Sequence, residues 1–299
     1  MLAVPCPEGD EQETEMGRLQ DIEDEKLKAA VARELKKREK RRKRLIALCV
    51  VLATGCIGYF SVYTYMNRRT QNESESWAQM KEDGRKRPSD RKDEPVIHRT
   101  GETEVPDILP EYEILYNKNK KLIGWVKIAD TDIDYPVMQT VDNEYYLDHD
   151  FGQNYDKNGC IFMDKDCDVI DRSTNLIVYG HHMKSGAMFG QLDKYADESF
   201  YQEHQTFQFD TIYEKGTYQV AFAFQAQVLA EDEIAFKYYQ FIDANSEEEF
   251  NSNMAAMADM SLYDTGIIPV YGDELVTLST CDRSQGAEGR FVVVGVKVA

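Results

Sequence analysis

The chain has 299 residues, a length that allows one or two domains, and its 42% hydrophobic content supports a packed core. Its 54 acidic residues outnumber 35 basic ones for a net charge of −19, and residues 106–299 alone hold roughly −20. So acidic a segment argues against nucleic acid as a partner, because phosphate binding needs clustered Lys and Arg.

Residues 1–44 read as a charged cytoplasmic tail, with residues 10–44 rich in the Glu, Lys, Arg, Leu and Ala of a solvated helix. The tail ends in a basic run from Lys36 to Arg44. Residues 45–66, LIALCVVLATGCIGYFSVYTYM, carry no charge and are long enough to cross a bilayer as one helix. Tyr59, Tyr63 and Tyr65 cluster at the end of this run, where amphipathic rings favour the membrane interface. The abutment of the basic run to the apolar one predicts a single-pass anchor with the N-terminus cytoplasmic and the rest of the chain extracellular. The length of the preceding tail, and the lack of a small-x-small site after the apolar core, argue against a cleaved signal peptide.

Residues 67–106 are polar and contain Gly84, Pro88 and Pro95, a composition expected of a linker or stalk. The external domain, residues 107–299, opens with Ile108, Leu109, Tyr112, Leu115 and Tyr116 at helical spacing. Strands are expected at 122–128, 134–139, 160–163 and 175–179, the third entered through an Asn158-Gly159 turn. Two more flank the Glu214-Lys215-Gly216 turn. A helix starts after Ser246, where Ser246 and Glu249 fit a capping box. Strands at 275–281 and 290–298 follow. Many short strands, few helices and no βαβ rhythm predict a mainly β domain, a mostly antiparallel barrel or sandwich.

Of the external cysteines, Cys160, Cys167 and Cys281, at least one must stay reduced or pair between chains; Cys160 and Cys167 are candidates for a bridge. Cys281 ends the strand Leu275-Val276-Thr277-Leu278-Ser279-Thr280, and Arg290 opens the apolar run Phe291-Val292-Val293-Val294. A thiol at a strand end beside a fixed cation has the makings of a nucleophile, although buried Cys is also a common core residue. A basic partner is needed, and His181 stands out: it follows an apolar strand and Gly180, so it sits where a loop leaves a rigid element. His98, His149 and His204 fall in polar stretches.

No metal site is expected. His181 and His182 are adjacent on a strand and point to opposite faces. Asp164, Asp166 and Asp168 fail the EF-hand pattern, with Val169 in place of its glycine and Asn175 at its last position, and read as solvated turn acids. No C-x-x-C occurs.

Together, Gly180-His181 after an apolar strand, Thr277-Leu278-Ser279-Thr280-Cys281, and Gly289-Arg290-Phe291-Val292-Val293 resemble the sortase family of cell-wall transpeptidases. Tyr179-Gly180-His181-His182-Met183 with Met188-Phe189, and Asp142-Asn143-Glu144-Tyr145-Tyr146-Leu147 with Asp150-Phe151, resemble class B in particular. The resemblance covers residues 107–299. It implies a closed eight-stranded β-barrel with a few peripheral helices, preceded by the membrane helix, and a site made of His181, Cys281 and Arg290. Arg283 is the rival for the arginine; Arg290 is favoured because it starts the final strand. Thr280 resembles the residue that helps hold the oxyanion or substrate, and Ser279 is expected to position the site. No Asp matches a relay behind His181. The implied reaction needs no cofactor. Its partners are proteins bearing a C-terminal sorting signal of the NP-x-T-x kind, and an amine from a peptidoglycan precursor or a pilin.

Two other readings fit the residues less well. A papain-like cysteine peptidase places its Cys at the start of a helix and before its His, the reverse of the order here. A surface adhesin or pilin is expected to end in a sorting signal, an apolar span and a basic tail, and Lys297-Val298-Ala299 shows none of these.

Overall fold

The computed structural model describes residues 25–86, 106–229, 235–281 and 289–299. The chain divides into two compact units, Met1–Met66 and Asn67–Ala299. The first unit is helical throughout its described part, which belongs to helix α1 (Glu25–Arg85). Residues 45–62 are exposed, and this stretch of α1 is long and apolar enough to cross a membrane. At about 1.5 Å per residue, the run 45–66 spans about 33 Å, the thickness of a hydrocarbon core.

In the second unit, eight strands close into a barrel: β1 (Leu122–Lys127), β2 (Asp134–Met138), β3 (Ile161–Met163), β4 (Asn175–Gly180), β5 (Thr206–Thr211), β6 (Thr217–Gln227), β7 (Leu275–Cys281) and β8 (Gly289–Lys297). Around the barrel they run β1-β2-β3-β4-β7-β8-β6-β5, with β5 pairing back onto β1. Most pairings are antiparallel, as the short connections predict. Two are parallel: β2 with β3, and β4 with β7. Those pairs need a chain crossover rather than a hairpin.

The barrel buries both faces of several strands, which explains their unbroken apolar runs. In β8, Phe291 and Val293 join the central core with Val126, Val137, Leu176, Val178, Val276 and Leu278. Val292 and Val294 face outward beneath helix α4 (Glu247–Met260), meeting Phe224, Phe250, Met254 and Met257. The α4 cap forms as its sequence predicts: Glu249 N donates to Ser246 Oγ at 3.1 Å. On another side, helix α2 (Pro110–Lys118) lays Tyr112 and Leu115 against Trp125 and Met138. The short helix α3 (Glu198–Glu203) is capped by Asp197.

Residues 67–85, expected to open a polar linker, are instead helical and packed on the barrel. Thr70, Ser74, Trp77 and Lys81 recur at helical spacing and share a face. Thr70 accepts from Asn158 Nδ2 at 2.8 Å, Ser74 Oγ donates to the Asp134 carbonyl, and the Trp77 ring lies 4.6 Å from that of Phe151. Lys81 reaches Asp210 at 3.3 Å between the Tyr112 and Trp125 rings. Residues 87–105 lie outside the described residues.

The possible Cys160–Cys167 bridge does not form; both are free and buried. Burial raises both thiols, that of Cys167 to about 12.

Candidate active site

The parallel ladder between β4 and β7 sets the site. It runs without a slip from Asn175 opposite Leu275 to Gly180 opposite Thr280. The next residues are His181 and Cys281, so the two strands deliver them at the same end of the barrel. On the other side of β7, Cys281 is the cross-strand partner of Arg290. Sequence-predicted residues from three strands thus share one row. Strand alternation puts positions 279 and 281 on the outer face, since Val276 and Leu278 belong to the inner core. Position 290 shares the face of Val292 and Val294.

A groove of about 440 Å³ opens over this face, and His181, Arg290, Ser279 and Thr280 all line it. His181 is half-buried, with Nε2 2.7 Å from the carbonyl oxygen of Leu147. Since a carbonyl only accepts, Nε2 is the donor. Arg290 is also half-buried, and its Nη1 donates to the Gly289 carbonyl at 2.8 Å. Ser279 Oγ shares a 2.7 Å hydrogen bond with the Tyr238 hydroxyl, which ties β7 to the segment before α4. Thr280 Oγ1 is buried and has no hydrogen-bond partner among the described residues. Arg283 lies outside the described residues.

The other described histidines are held locally, and His98 lies outside the described residues. His182 Nε2 is 2.9 Å from Asp193 Oδ2, away from the partner of His181, so the pair does not converge. His149 and His204 each bond a carbonyl four residues back in the chain. No cluster suited to a metal occurs among the described residues.

The turn acids are as expected in two respects and not in a third. Asp168 Oδ1 accepts the Ile170 and Asp171 amides, and Asp166 is exposed beside Lys165. Asp164, by contrast, is only 5% exposed and lines the groove. Its Oδ2 accepts from Asn143 Nδ2 at 2.9 Å and from the Tyr179 hydroxyl at 3.0 Å. Burial and the Asp164 charge raise the Tyr179 hydroxyl well above its ordinary range, which keeps it a donor. Asp164, Tyr179, Tyr238 and Tyr239 line the groove as well, beyond the residues expected there from sequence. The clue was available for Tyr179 alone, at the end of the strand that leads to His181.

A family model described as the sortase domain matches residues 126–298. Sortase B of Listeria monocytogenes is 34% identical over 194 residues, covering 63% of this chain and 74% of that protein. The crystal structure of sortase B from Bacillus anthracis in complex with AAEK1 superposes with a TM-score of 0.61 at 31% identity, covering 78% of this chain and 97% of that one. The Staphylococcus aureus sortase B–substrate complex gives 0.63 at 24% identity, over 79% and 97% of the two chains, a likeness of fold.

Proposed function

We propose that this chain, which belongs to the sortase family of cysteine transpeptidases and within it to class B, cuts a Thr-x bond in a C-terminal sorting signal of the NP-x-T-x kind and passes the acyl group to an amine. The observation that supports this reading is the strand register: the β4–β7 ladder ends one residue before His181 and Cys281, Cys281 pairs with Arg290, and His181 and Arg290 line one groove.

In the first half-reaction the Cys281 thiolate attacks the threonine carbonyl carbon, and the carbonyl oxygen takes up the negative charge. Arg290 offsets that charge, and Thr280, which resembles the family's residue beside the thiol, helps bind the oxyanion or the substrate. One such donor lowers the barrier by about 3–4 kcal/mol. His181, as imidazolium, gives a proton to the leaving amine nitrogen as the C–N bond breaks. A thioester on Cys281 remains. In the second half-reaction an amine attacks that thioester, His181 takes a proton from it, and the thiolate leaves. Ser279, held by Tyr238, keeps the end of β7 in place. The acceptor is the amine of a peptidoglycan precursor or of a pilin subunit, and no cofactor takes part.

The apolar stretch of α1 supports a membrane anchor, and the basic run before it supports a cytoplasmic N-terminus with residues 107–299 outside. The full chain in detergent micelles, given a fluorogenic NP-x-T-x peptide and a glycine or diamino-acid acceptor, tests the reading. Peptide cleavage, a trapped acyl-Cys281 adduct and incorporation of the amine are expected. Cleavage by Cys281→Ala at the wild-type rate would end it.

A further inference from the structure

Three groove-lining groups stand on separate pieces of chain: Asp164 after β3, Tyr179 on β4, and Asn143 in the turn that leads to Leu147. A single buried carboxylate oxygen gathers the last two, Asp164 Oδ2 accepting from both. Its other oxygen accepts the Asp166 amide at 3.0 Å. Asn143 is held a second time, its Oδ1 accepting from Lys165 N at 2.8 Å. The turn itself is capped by Asp142, whose Oδ1 accepts the Glu144 and Tyr145 amides at 2.9 and 2.8 Å. It closes with Leu147 N donating to the Glu144 carbonyl, and it ends on the carbonyl that receives His181 Nε2.

We infer that Asp164 is a positioning residue for His181: by clamping Asn143 and Tyr179 together it holds the 142–147 turn where the Leu147 carbonyl accepts the Nε2 proton. The inference rests on the transpeptidase reading above and goes further into the same site. A carbonyl cannot give a proton back, so Nε2 stays protonated through the cycle, and the proton that His181 exchanges with the substrate amines resides on Nδ1. A buried charge is a suitable clamp because its bonds to neutral donors are about twice as strong as bonds between neutral groups.

The test uses the full chain in micelles, with kcat and KM measured for peptide cleavage alongside ¹⁵N-labelled histidine spectra. Wild type should show a downfield, slowly exchanging Nε2 proton for His181, assigned by its disappearance in His181→Gln. Asp164→Ala should lose that resonance and about 10–100-fold in kcat, as expected for a misplaced reacting group. Asp164→Asn keeps one acceptor oxygen without the charge and should recover part of both. Because Asp164 is buried, Asp142→Ala supplies a second, exposed variant that loosens the same turn and should weaken the same resonance. Loss of kcat with the His181 resonance intact in Asp164→Ala and Asp142→Ala would overturn the inference, as would a defect confined to KM. Full turnover by His181→Gln would instead overturn the underlying reading.

Discussion

Gly180 and Thr280 face each other across the last rung of the parallel β4–β7 ladder. The next residues are His181, just past β4, and Cys281, the last of β7, so the spacing of the proposed acid–base and nucleophile follows the sheet register. Gly180 is also a tight fit. A Cβ there would lie 2.4 Å from Ile161 Cδ1 and 2.7 Å from Phe189 Cδ2.

Gly180→Ala should therefore cost about 1–3 kcal/mol, the usual range for forcing a methyl into a packed site. It should also lower turnover, because the displaced strand end carries His181. Thermal melts and steady-state rates measured together check this. A variant with an unchanged Tm and full activity would show that Phe189 and Ile161 yield at no cost.

Arg290→Ala is expected to leave the Tm nearly unchanged and to reduce kcat/KM by about 10²–10³-fold, the loss typical of an oxyanion donor. Arg283→Ala should retain most activity. The reverse result would move the arginine role to residue 283.

Native alkylation should separate the thiols. Cys160 and Cys167 are buried and their thiols are held protonated, so iodoacetamide should leave both unmodified until the fold is opened in denaturant. Cys281 is expected to react in the folded protein. Peptide mass mapping with and without denaturant reads all three sites, and rapid native labelling of Cys160 would contradict the packing described.

The same thiols predict alkaline sensitivity. Their folded pKa values are raised, so each favours the folded state fully below the unfolded value of 9.0, and that contribution is lost as pH rises toward the folded values. Tyr135, raised to about 12 from 10.0 by burial, acts in the same direction. The Tm should fall between pH 8 and pH 11, and Cys160→Ala with Cys167→Ala should flatten that slope. A Tm that rises over this range would refute the assignment.

Ser246→Ala should cost about 1 kcal/mol by removing the α4 N-cap, and Ser246→Asp should restore it. Urea titration is sufficient to tell. No loss in the Ala variant would mean that α4 is held by Phe250, Met254 and Met257 alone.

Much of this was legible in the order of residues. The cap at Ser246, the closing strand 290–298, and the strand ends carrying His181 and Cys281 follow from local pattern and motif. The parallel pairing of β4 with β7 did not, since no local periodicity says which distant strand becomes a neighbour. The packed face of residues 67–85 was hidden for another reason: Thr70 and Ser74 are small and polar, and hydrophobic spacing does not register them. In the sequence Asp164 reads as an ordinary turn acid, and only the fold brings Tyr179 and Asn143 onto it.

Each rung between β4 and β7 joins residues 100 positions apart. Closing so long a loop is entropically unfavourable until the intervening strands have packed, so this pairing belongs to the late part of folding. A growing chain that has finished β4 therefore holds His181 without its neighbouring strand, and the row that joins residues 181, 281 and 290 waits on about a hundred further residues.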